Sequence, residues 1–291
     1  MSAAPLLARL PDGRRHFQHG PIDLLIEAEG DRAEVEAAYA QAEAAFPDIL
    51  PRLAAELPLL RRPVSDETPR GPVAQRMRWA CLPFADTAFI TPMAAVAGAV
   101  ADQMLAALTT RRRLAKAYVN NGGDIAFHLT GDACLTAGLV ANDETLEAAG
   151  TVRLDAAQPA RGLATSGRGG RSFSLGIADA VTVLAATAAA ADAAATLIAN
   201  ATDCDDPAIR RAPAHSLDPD SDLGDRLVAT QVGPLPAATI DRALDAGAGL
   251  AAWCCAQGLI EAAVLSLKGA RRAVGPLAAP NTTSSPRSLS A

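Results

Sequence analysis

Residues 187–200 read TAAAADAAATLIAN, a helix built almost wholly of alanine with one carboxylate, Asp192, in its middle. Alanine is the best helix former and loses no side-chain freedom on folding. It also brings little bulk, so such a helix fills a close-packed interior only by lying tight against a sheet or another helix. Residues 91–109 give a second helix of this kind, where Ala94, Ala97, Gly98 and Ala101 make a small-residue face. The whole chain follows suit: 50% of its 291 residues are hydrophobic, yet only 3% are aromatic.

That balance excludes several classes of function. Few aromatic platforms and a formal net charge of −6 argue against nucleic acid as a partner. The compact basic run Arg111-Arg112-Arg113 reads as a helix end. No apolar run reaches the roughly 18–20 residues of a membrane helix, and the proline-broken N-terminus does not resemble a signal peptide. A cytoplasmic protein is expected. The five cysteines lack CxxC spacing and read as reduced thiols, with no zinc site.

Along the chain, a strand is expected over 16–28 and a helix from Asp31 to Leu57, bent at Pro47 and Pro51. Residues 61–75 read as a loop. Strands follow around 117–121 and 124–129, then at 133–140 and 150–154. Residues 162–172, GLATSGRGGRS, read as irregular because of their glycines. A strand is expected at 180–185, an acidic loop at 203–224, and strand, helix and strand at 227–232, 236–257 and 260–267. Hairpin-like pairs mix with long helices, so the expected class is α+β, with mixed sheets packed against Ala-rich helices. Two intertwined similar halves are conceivable. A single domain is expected over 1–275, with a disordered polar tail at 276–291.

Three stretches could carry chemistry. Asn120-Asn121-Gly122-Gly123-Asp124 interrupts a strand context with a glycine pair, which lets a ligand approach the backbone. Thr165-Ser166-Gly167-Arg168, continuing to Arg171, offers hydroxyls, free N–H groups and two guanidinium groups, which suit a phosphate. Each also fits a plain turn. Asp192 and Thr196 stand four apart on the alanine helix, so both oxygens face one way and could hold Mg²⁺. Taken alone, they fit better a solvated carboxylate and a hydroxyl bonded back to its own helix. His16, His19, His128 and His215 show no partner at catalytic spacing and read as structural.

In order, VNNGGDI, LATSG, ADAVTVLA and ADAAATLIAN resemble the FAD:protein FMN transferase (ApbE-like) superfamily over residues 90–202. The resemblance implies that Asn120, Gly122, Gly123, Asp124, Thr165, Ser166 and Gly167 meet a flavin nucleotide, FAD or FMN. It implies that Asp192 and Thr196 hold magnesium. Two transferase features are missing: a lysine-glycine pair, where this chain reads Ala97-Gly98, and a His-Ile-Asp-Pro segment, here replaced by the short link RGGRSFSLGIA. That compressed form and the C-terminal pattern 227–275 are similar to the UPF0280 branch. Three functions stay open: Mg²⁺-dependent FMN transfer, a non-transferase enzyme acting on another anionic small molecule, and a non-catalytic flavin carrier or assembly protein. On this reading the two glycine-rich stretches share one cleft with Asp192 and Thr196. Asp192→Ala would then weaken nucleotide binding while barely changing stability.

Overall fold

The computed structural model describes residues 4–142, 147–170 and 172–276. The chain opens with three antiparallel strands, β1 (Leu6–Arg9), β2 (Arg15–His19) and β3 (Ile22–Gly30), and continues into four helices. These are α1 (Arg32–Ala45), α2 (Ile49–Leu60), α3 (Pro72–Cys81) and α4 (Val96–Thr109). Strands β4 (Leu114–Asn121), β5 (Asp124–Leu129), β6 (Cys134–Asn142), β7 (Glu147–Asp155), β8 (Gly162–Ser166) and β9 (Ala180–Ala185) follow. The remainder is α5 (Ala188–Ala201), β10 (Ile209–Pro213), α6 (Ala214–Leu217), β11 (Leu227–Val232), α7 (Ala237–Ala256), β12 (Ala262–Leu267) and β13 (Ala270–Val274).

Nine strands form one sheet in the order β1-β2-β3-β4-β5-β8-β9-β12-β13. Every pairing in it is antiparallel, so the α+β class holds. Its order contains one pattern twice. A hairpin (β2–β3), helices, and a second hairpin (β4–β5) are followed by a hairpin (β8–β9), helices, and a last hairpin (β12–β13). The two halves sit side by side and meet where β5 pairs with β8.

The helices α4 and α5 pack on one face of this sheet and against each other. Their contact depends on absent side chains. A Cβ on Gly98 would stand 2.2 Å from the Ala188 carbonyl oxygen, and one on Gly162 of β8 would stand 2.1 Å from the Ala188 nitrogen. The core there is correspondingly fine-grained, with Ala99, Ala101, Ala164, Ala191, Ala194 and Ala195 all buried. The opposite face is covered by the β6–β7 hairpin, which closes a second cluster of Phe127, Leu129, Leu139, Val152, Leu154, Leu163 and Leu184. Of the apolar stretch Pro92–Thr109, 18 residues long and apolar enough to cross a membrane, half is buried in this core. That stretch overturns the expectation that no such run exists.

Several expectations are corrected. The glycine-rich run is regular in its first part, because Gly162–Ser166 is strand β8. Gly162 serves close approach of α5, not a turn. The loop expected at 61–75 ends in helix α3, where Pro72 occupies a first-turn position that needs no N–H. The loop at 203–224 contains β10 and α6. The tail beyond residue 276 and Arg171 lie outside the described residues.

Candidate functional site

The turn between β4 and β5 is set by two glycines with positive φ, Gly122 at 66° and Gly123 at 111°. That is the geometry of a tight two-residue hairpin, which other residues adopt only under strain. Asn120 secures it from behind: its Oδ1 accepts the Gly123 N–H at 2.8 Å. Asn121 faces the helices, and its Nδ2 donates to the Ala97 carbonyl at 3.0 Å. Both asparagines therefore hold the turn. What the turn presents forward is Gly122 and Asp124.

Asp124 is buried, and its carboxylate accepts the Thr165 N–H at 3.2 Å, which joins the first glycine-rich stretch to the second. Thr165 in turn shares a hydrogen bond with Thr182 of β9 at 2.9 Å. Gly167 lies where a Cβ would press to 2.5 Å on the Asp179 carbonyl. Gly122, Asp124, Thr165, Ser166 and Gly167 all line one cleft of about 610 Å³. Asp192 and Thr196 line the same cleft from α5.

Arg168 behaves otherwise. Its guanidinium turns away to the buried carboxylate of Asp179 at 3.3 Å, and it is not part of the cleft wall. Asp179 also accepts the Lys268 N–H, so the pair ties the loop after β8 to the turn between β12 and β13. The cation that does reach the cleft is Arg61, at the end of α2, which pairs with Asp220 at 3.6 Å. Asp218, Asp220 and Asp222 form an acidic rim, and Asp222 accepts a hydrogen bond from the buried Thr91 hydroxyl. Arg226 stacks over the ring of Phe89, another wall residue, at 3.2 Å. None of these was singled out in the sequence, since they lie outside the motifs they face.

Asp192 occupies a distinctive position. Helix α4 has no capping side chain of its own, and its Gly98 N–H donates to Asp192 Oδ2 at 3.0 Å. Burial is the largest influence on this carboxyl and raises its pKa to about 7, against the helix N–H groups that lower it; Asp102 adds a smaller upward push. Thr196 donates to the Ala94 carbonyl at 3.4 Å. A carboxylate, a hydroxyl and a carbonyl thus stand together on one wall. These are hard oxygen donors of the kind Mg²⁺ takes, with phosphate and water completing its shell. Among the described residues no group of three or more His, Cys, Asp or Glu side chains gathers to hold a metal, at this wall or elsewhere. Because Asp192 holds the Gly98 N–H, its replacement by alanine removes a cap, and the expectation of unchanged stability no longer stands.

A family model described as AbpE bacteria matches residues 7–273 of the chain. The chain belongs to this family. Among curated relatives of this AbpE member are three UPF0280 proteins. That of Methanopyrus kandleri is 38% identical over 153 residues, 52% of this chain and 58% of the relative. That of Methanosphaerula palustris is 36% identical over 190 residues, 64% and 76% of the two chains. That of Methanothermobacter thermautotrophicus is 41% identical over 112 residues, 38% and 42% of the two chains. The chain thus spans a little over half of the first relative's length. A crystal structure of the Pseudomonas stutzeri flavinyl transferase ApbE, in its apo form, aligns over 95% of this chain and 96% of its own, at 14% identity and a TM-score of 0.48.

Proposed function

We propose that this cleft binds a flavin nucleotide, FAD or FMN, together with Mg²⁺. One observation supports this above all: the segments singled out by the flavin-transferase resemblance converge on one cleft, although Gly122 and Asp192 are 70 residues apart. Asp192 and Thr196 would hold the ion, and the ion would neutralise phosphate charge. Gly122, Thr165, Ser166 and Gly167 would bring backbone and hydroxyl groups to the nucleotide.

The charge of the cleft favours a metal-loaded ligand. Its described walls carry five carboxylates, Asp124, Asp192, Asp218, Asp220 and Asp222, and one guanidinium, Arg61. A bare phosphate would meet net repulsion there. Helix α5 offers it no free N-terminus either, because the Ala188 and Ala189 N–H groups bond to Asp102 and the Ala190 N–H to Thr187. The alternative of an anionic small molecule other than FAD drew on Arg168 and Arg171, and Arg168 is committed to Asp179.

For FMN transfer, a target hydroxyl would attack the FMN-side phosphorus of FAD. The hydroxyl loses its proton, the pyrophosphate P–O bond breaks, and AMP leaves. Native mass spectrometry of the chain with FAD and Mg²⁺ tests binding, with a one-to-one adduct expected. Incubation with a threonine-bearing acceptor peptide tests transfer. An FMN-sized mass increase on the peptide separates a transferase from a carrier, and absence of any FAD adduct would overturn the reading.

A further inference from the structure

Among the described residues, the cleft wall carries one large apolar group that folding leaves in water. Phe173 is 39% exposed and lies on the cleft wall, in a chain whose aromatics are scarce. The other ring on the wall, Phe89, is already covered by Arg226. Phe173 is also held in place. Directly after it, the Leu175 N–H donates to Asn200 Oδ1 at 2.9 Å, and the Ala229 N–H donates to the Ser174 carbonyl at 3.0 Å. Gly176 then packs so closely on the end of α5 that a Cβ would come within 2.1 Å of the Ala199 carbonyl. An anchored backbone that leaves an aromatic side chain exposed on a cleft wall is a preorganised platform, because little freedom remains to be lost on binding.

Helix α5 relates this platform to the ion site. Asp192, Thr196 and Asn200 follow one another at intervals of four along α5, and all three line the cleft. From Asp192 to Asn200 the helix axis advances about 12 Å, a span that FAD, or FMN with its ribityl chain extended, can bridge between phosphate and ring. Building on the flavin-nucleotide reading above, we infer that Phe173 stacks on the planar ring of the bound nucleotide while its phosphate lies at the Asp192 end of α5. Offset stacking on an aromatic face is the favoured way for a side chain to hold a flat heterocycle.

Calorimetric titration of FAD, FMN and ADP, each with Mg²⁺, into wild type, Phe173→Ala, Phe173→Leu and Phe173→Trp tests this. Phe173→Ala and Phe173→Leu should weaken the ligand whose ring stacks by about ten-fold, with Phe173→Trp close to wild type. Loss for FMN and FAD but not ADP identifies the isoalloxazine as the stacked ring; loss for ADP and FAD but not FMN identifies the adenine. Equal FAD affinity in wild type and Phe173→Ala, or in wild type and Phe173→Leu, overturns the stacking role while leaving flavin binding intact. Wild type that binds none of the three overturns the flavin-nucleotide reading itself and the stacking role with it.

Discussion

Asp102 and Asp192 each cap the helix that carries the other. Asp192, on α5, accepts the Gly98 N–H near the start of α4, and Asp102, on α4, accepts the Ala188 and Ala189 N–H groups that begin α5. Two helices that pack without bulky side chains are thereby locked in register by reciprocal polar contacts. One of the two carboxylates also faces the cleft, so the same lock positions the candidate ion site.

Asp102→Ala should destabilise the fold by about 1–3 kcal/mol, since it strands two N–H groups in a largely buried setting. Asp102→Asn retains one acceptor and should lose less. Urea unfolding followed by circular dichroism measures both, and an unchanged midpoint in Asp102→Ala would show that water replaces the cap at no cost.

Asp192 gives the protein a predicted pH dependence in the absence of metal. Its folded pKa of about 7 lies above its ordinary value of 3.8, chiefly through burial. Between those values the folded state keeps a proton that the unfolded state has lost, so this group's contribution to stability falls as pH rises from about 4 through about 7. Asp192→Asn keeps an acceptor for Gly98 but cannot ionise. Its melting temperature should exceed that of wild type at pH 8, and the gap should shrink steadily towards pH 4. Added Mg²⁺ and nucleotide should reverse the order at pH 8 by favouring the ionised carboxylate. Parallel melting curves for the two proteins across this range would contradict the assignment.

Gly98→Ala should destabilise by about 2–3 kcal/mol, because the new methyl meets Ala188 backbone that cannot move aside. Gly138→Ala, on β6 with open space around its Cβ position, serves as the contrast and should be neutral or slightly stabilising. Denaturant midpoints for the two variants distinguish a packing constraint from a generic effect of removing glycine.

Arg168→Ala should lower stability by about 3 kcal/mol, as expected when a buried carboxylate loses its partner. Its effect on FAD affinity, measured on protein still folded, should stay within about two-fold, well under the 1.4 kcal/mol of a ten-fold change. A large affinity loss with unchanged melting would mean that Arg168 leaves Asp179 to meet the ligand.

The sequence made some of this plain and hid the rest for physical reasons. The alanine helix at 187–200 and the β-branched strand at 180–185 announce themselves because local propensity and tertiary packing agree. The Asn-Gly-Gly-Asp turn is equally visible, since only glycines accept its backbone angles. Strand β8 was hidden because a glycine required for close helix approach, such as Gly162, looks the same in sequence as one required for a turn. Helix α3 was hidden by prolines that usually mark loops. At the site, Asp192 and Thr196 could be picked out from helical spacing, but Arg61, Asp222 and Phe173 could not. Arg61 and Asp222 reach the cleft through tertiary folding alone and belong to no local pattern, while Phe173 stands in the link RGGRSFSLGIA, where nothing local says which way it faces. Arg168 showed the converse: a basic residue in a glycine-rich loop suggests a phosphate contact, yet a buried carboxylate eleven residues on claims it.

Calorimetric titration of FAD into the full chain at pH 8, with Mg²⁺ or with EDTA, on wild type, Asp192→Asn and Thr196→Val, tests the central claim most directly. Wild type should bind FAD about ten-fold or more tightly with Mg²⁺ than without, a difference of at least roughly 1.4 kcal/mol. Asp192→Asn should lose that dependence, and Thr196→Val should weaken it. Wild-type affinity that is the same in Mg²⁺ and EDTA, or a magnesium effect that survives in Asp192→Asn, would contradict a metal-held nucleotide in this cleft.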